Sequence, residues 1–98
     1  MKTPKQEQRE AIEDIGRASR AEELINNPLY LEAITAMQAA MFTQFADTKF
    51  KDEDHRHELW QRMQLLKQFQ SKFESIVKQG VKAKQTLTML ERAKQLIS

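Results

Sequence analysis

Hydrophobic positions recur at helical spacing through most of this chain, and the breaks between them divide it into four helix-forming stretches. From Thr3 to Ile25 the apolar positions are Ile12 and Ile15, with Ala18 or Ser19 next, then Ala21, Leu24 and Ile25, set among Glu, Gln and Arg. Thr3 followed by Pro4 supplies an N-cap with proline at the first helical position. The stripe is thin, and Gly16 costs it about 1 kcal/mol relative to alanine. Such a segment either docks on something or frays, and its first dozen residues are expected to be mobile.

Asn26-Asn27-Pro28 is the clearest punctuation in the sequence, because a residue before proline is pushed out of the α region. Asn27 can cap a new helix that carries Pro28 at its first position and runs to about Ala46. Tyr30, Ile34, Met37, Met41 and Phe45 form one stripe of it, widened by Leu31 and Phe42. Ala33, Ala36, Ala39 and Ala40 leave room for a close neighbour. Asp47 to Lys51 reads as a connection. Asp52, Glu53 and Asp54 then place three acids where a helix N-terminus favours them. The third stretch continues to Gln79 with Leu59, Met63, Leu66, Phe73 and Val77 in three-four alternation, flanked by Trp60, Phe69 and Ile76. Gly80 either ends this helix or sits in it as a tolerated weak point. Val81 to Ser98 is again helix-permissive, with Leu87, Leu90, Ala93 and Ile97 on one face.

The expected fold is all-α. A short connection makes the two central helices an αα-hairpin core, flanked by N- and C-terminal helices. This divides the chain into a polar N-terminal arm at 1–26, a central hairpin at 27–80 and a basic C-terminal arm at 81–98. Two helices cannot enclose a core. Either the flanking helices close the bundle or copies of the chain do, and the thin flanking stripes beside broad central ones favour a homo-oligomer. The expected self-association surface is Met37, Met41, Phe45, Leu59, Trp60, Met63 and Phe73.

Composition narrows the class. Ninety-eight residues allow one domain at most, two Gly and two Pro leave few tight turns for an all-β fold, and no cysteine means no disulfide framework. No apolar run approaches the roughly 18 to 20 residues of a bilayer span, and the polar N-terminus is not a secretory signal, so no membrane partner is expected. The net charge of +2 hides an asymmetry. Residues 1–58 hold eight Lys/Arg against twelve Asp/Glu, and residues 59–98 hold eight against two. A basic half can meet nucleic acid, and the candidate contacts are Lys67, Lys72, Lys78, Lys82 and Lys84. These lysines are spaced singly among Gln, Ser and Thr, a pattern that also describes a solvated helix surface.

No catalytic constellation emerges. His55 and His57 stand among Asp52, Glu53, Asp54 and Glu58, but residues two apart do not share a helix face. The usable combinations give two ligands, short of the three or four of a zinc site. Neither glycine belongs to a nucleophile-elbow or phosphate-loop motif. The aromatic and methionine side chains sit at core spacing. No enzyme activity, cofactor or metal is expected.

The run Arg20-Ala21-Glu22-Glu23-Leu24-Ile25-Asn26-Asn27-Pro28-Leu29 continues to His57-Glu58-Leu59-Trp60, Leu65-Leu66 and Val77-Lys78-Gln79-Gly80. Over roughly residues 17 to 90 this resembles a group of small helical proteins encoded by tailed bacteriophages, often among head and DNA-packaging genes. The markers are the Asn-Pro break, the Leu-Trp pair and the glycine near the end of the long helix. The resemblance implies a phage protein that works by assembly, binding another structural (head) protein of the virion, in the host cytoplasm during infection or in the virion itself. Nucleic-acid binding in genome packaging and inhibition of a host protein through the acidic half are the alternatives.

Overall fold

The computed structural model describes residues 1–49 and 51–97. Phe50, in the expected connection, and Ser98, at the end of the expected C-terminal helix, lie outside them. The described residues form three helices and no strand: α1 (Pro4–Ile25), α2 (Pro28–Ala46) and α3 (Glu53–Ile97). The fold is all-α.

Local chemistry sets the helix starts. At α1, Thr3 Oγ1 accepts from Gln6 N (3.2 Å) while Gln6 Oε1 accepts from Thr3 N (2.9 Å), a reciprocal capping box. The helix begins at Pro4, so the first dozen residues are almost wholly helical. At α2, Asn27 holds an extended backbone (φ −70°, ψ 125°), and its Oδ1 accepts from Leu29 N at 2.9 Å and Tyr30 N at 3.3 Å. Pro28 follows at the first helical position, where its missing N–H leaves nothing unsatisfied. α3 opens with Glu53 and Asp54 in its first turn, placing negative charge on the positive end of the helix dipole.

α3 does not stop at Gly80. It is unbroken for 45 residues, and its two parts belong to different compact units. One unit is Ile25–Lys72, in which α2 packs on the first twenty residues of α3. Its core is Ile34, Leu59 and Leu66, with Leu59 only 1% exposed. The contacts set an antiparallel pairing. Arg56 lies over the Phe45 ring at one end, and Gln38 Nε2 donates to Gln70 Oε1 (3.2 Å) toward the other.

The other unit joins Met1–Leu24 with the chain from Phe73 onward. The terminal segments therefore lie in one unit of their own chain. Its core is built of small residues: Ala11, Ala18, Ala21 and Ala83 are buried, and so is Gly80. Alanines bury little apolar area each, so this pairing gains its stability from close backbone approach and dense contact. At Gly80 that approach leaves no room for a side chain. A Cβ placed there would collide with the Ala18 Cβ, so the glycine is neither a terminator nor a defect.

Candidate interaction surface

α2 is apolar nearly all the way round. Glu32 is its sole charged residue in nineteen, yet Ile34 is its sole buried one. A helix with this composition is normally enclosed on every side. Here α3 covers one face. Tyr30, Met41 and Phe45 are half-buried along that contact, while Leu29 (73%), Leu31, Met37 and Phe42 (69%) remain exposed.

The seven residues expected to form a self-association surface are not brought together as one patch. Met41 and Met63 line a groove of about 300 Å³ with Gln38, Phe42 and Lys67. Phe45 is covered by the Arg56 guanidinium, 4.4 Å from its ring centroid. Leu59 is packed inside its own unit. Trp60 is exposed, with its indole stacked on the His57 ring at 5.9 Å and 16°. Met37 is exposed on α2. Phe73 belongs to the other unit, where it lines a small groove with Arg17, Arg20, Ala21 and Leu24.

Leu29 and Leu65 were not among the sequence-derived candidates, yet they are among the most exposed large side chains of the unit. They sit off the regular stripes. For Leu29 the signal is the near-absence of charge on α2, rather than any periodicity; Leu65, on α3, has no such signal.

The joint between α2 and α3 is fixed by side chains. Thr48 Oγ1 donates to the Phe45 carbonyl oxygen at 2.6 Å and accepts from Arg56 Nη1 at 2.9 Å. One arginine thus clasps a ring and a hydroxyl across the turn. Among the described residues no group of three or more His, Cys, Asp and Glu is placed to hold a metal ion. No described helix is long and apolar enough to cross a membrane.

The candidate nucleic-acid lysines are divided between the units: Lys67 and Lys72 in one, Lys78, Lys82 and Lys84 in the other. Lys82 lines a groove with Glu7, Glu10 and Asp14 of α1. The charge asymmetry along the chain is thereby folded together. The Ile25–Lys72 unit holds six basic and six acidic residues, and the other holds ten basic and eight acidic. At the start of α1, Lys2 Nζ sits 2.6 Å from Glu10 Oε2. The hydrogen bond to that carboxylate, helped by its charge, raises the lysine pKa above its ordinary value.

Comparison with protein-family models, with curated proteins and with solved structures gives no match for this chain.

Proposed function

We propose that this chain is a non-enzymatic helical assembly protein that associates with copies of itself and binds a further structural protein. In this reading α2 and the first part of α3 form the helical hairpin at the heart of the assembly. One observation carries it: a nineteen-residue helix with a single charge leaves all but Ile34 incompletely buried. Exposing Leu29, Leu31, Met37 and Phe42 to water is unfavourable at roughly 25 cal/mol per Å² of apolar surface. A second protein surface relieves it. The sequence resemblance to tailed-phage proteins supplies the context, a head or packaging role during infection.

Nucleic-acid binding is the weaker reading. Its lysines are divided between two units, and Lys82 shares one groove with three α1 carboxylates, whose negative charge opposes the approach of phosphate. Inhibition of a host protein through an acidic surface is weaker too, because each unit holds acidic and basic residues in similar number.

Multi-angle light scattering tests the proposal. A species larger than one chain at micromolar concentration supports it, and a strict monomer with a cooperative melt at high micromolar concentration overturns it. Mass spectrometry of purified particles tests the virion role, which absence from them would remove.

A further inference from the structure

We infer that the second copy docks on α2 in the antiparallel sense, about a two-fold axis passing close to Ala36 and Met37. The inference rests on the self-association reading above and gives it a face and a direction.

The face follows from which flank leaves more large apolar side chains exposed. On one side of the α2–α3 contact runs a groove in which Met41, Phe42, Met63 and Leu66 stand among three amides and the Lys67 ammonium, and only Phe42 of the four is largely exposed. Helical geometry puts Leu29, Ala33, Met37, Ala40 and Gln44 on the opposite flank of α2, one above another at spacings of four and three. The same geometry turns Leu65 and Phe69 of α3 to that side, away from Met63 and Lys67. Leu65 is 67% exposed and Phe69 half exposed. The charged residues of α3 nearest them include Glu58 and Arg62, which already neutralise each other at 2.6 Å. The α2 stripe carries no charge, and its two exposed alanines, Ala33 and Ala40, let a second helix come close.

The direction follows from how charge is distributed along the unit. The connection and the first turns of α3 hold Asp47, Asp52, Glu53, Asp54 and Glu58 against Lys49, Lys51 and Arg56, an excess of two negative charges. The remainder of the unit holds Arg62, Lys67 and Lys72 against Glu32, an excess of two positive charges. Side-by-side parallel pairing would set like ends together and Glu32 against Glu32. Antiparallel pairing sets each negative end beside a positive one, twice by symmetry, and also opposes the helix dipoles. The interface is isologous and closed. Ala33 meets Ala40 of the second copy, Leu29 meets Gln44, and the middle of α2 meets itself.

The chain has no cysteine, so introduced ones report cleanly. Under mild oxidation Met37→Cys is expected to give a disulfide-linked dimer, since its copies lie near the axis and within reach of disulfide geometry. Leu29→Cys and Gln44→Cys alone are expected to stay unlinked, and an equal mixture of the two to give the mixed dimer. Self-linking of Leu29→Cys would overturn the antiparallel direction. An oligomer by light scattering with no link at any of these positions would overturn the α2 face while self-association stood, and a strict monomer would end both. Ala40→Glu, at an exposed site that the monomer fold does not need, is expected to weaken association at least tenfold with the helical content retained. An unchanged dimer would overturn the face.

Discussion

Gly80 and Ala18 touch so closely that a methyl group at position 80 would occupy the space of the Ala18 Cβ. The glycine lets α1 and the end of α3 approach more nearly than any other residue would allow. Gly80→Ala gains about 1 kcal/mol of helix propensity. It also overpacks against a side chain that cannot swing aside, because Ala18 has no rotamers. Overpacking costs typically about 1–3 kcal/mol, so the expected net result is destabilisation in urea unfolding. Ala18→Gly in the same chain should recover part of the loss, with non-additivity of about 1 kcal/mol as the signature of the contact. Additive effects would show that the two positions do not meet.

Gly16 provides the opposite sign in the same helix pair. A Cβ there would meet only the Arg20 Nη1, at an ordinary 3.7 Å. Gly16→Ala is therefore expected to stabilise by about 0.5–1 kcal/mol through lower backbone entropy in the unfolded chain. Thermal melts of the two glycine variants should move in opposite directions.

The contrast marks what the sequence could and could not convey. Thr3-Pro4 and Asn27-Pro28 are local signals, since the cap and the helix it starts are adjacent in the chain, and both ends form where the pattern predicts. The apolar richness of α2 was equally plain. Gly80 was ambiguous because its meaning depends on Ala18, 62 positions away, and no local pattern carries that pairing. The division of Met37 and Phe73 between two units was hidden for a related reason. Both lie on good stripes, but α3 is long enough to serve α2 with its first half and α1 with its second.

Asn27 caps the start of α2, and its side chain satisfies two backbone donors at once. Asn27→Ala leaves both to water and should cost about 0.5–2 kcal/mol. Asn27→Asp keeps an acceptor at the same place beside the positive end of the helix dipole and should be close to neutral. Equal losses in both variants, measured by chemical denaturation, would show that the cap contributes little.

Among the described residues Leu59 is the most deeply buried large side chain, at 1% exposure, in a unit whose core otherwise rests on Ile34 and Leu66. Leu59→Ala is expected to cost about 2–5 kcal/mol, the transfer of the lost methyls plus the cavity left behind. Leu96→Ala, at a position almost fully exposed, should stay within about 0.5 kcal/mol. Urea midpoints separate the two cases. A small loss at Leu59 would mean that the pair of helices collapses to fill the space.

Arg56 ties the end of α2 to the start of α3 through two contacts of different kinds. Its guanidinium lies 4.4 Å from the Phe45 ring centroid, and its Nη1 donates to Thr48 Oγ1 at 2.9 Å. The Thr48 hydroxyl passes the connection on to the Phe45 carbonyl. Lysine keeps the charge but has no planar group to cover a ring while donating sideways. Arg56→Lys should therefore lose about 1 kcal/mol at this partly exposed site, and Thr48→Val should lose a similar amount by removing both hydrogen bonds of the hydroxyl. Because the two changes break one shared link, the double variant should lose less than their sum. Strict additivity in a double-mutant cycle would show instead that Arg56 acts on the ring alone and that Thr48 holds the turn without it.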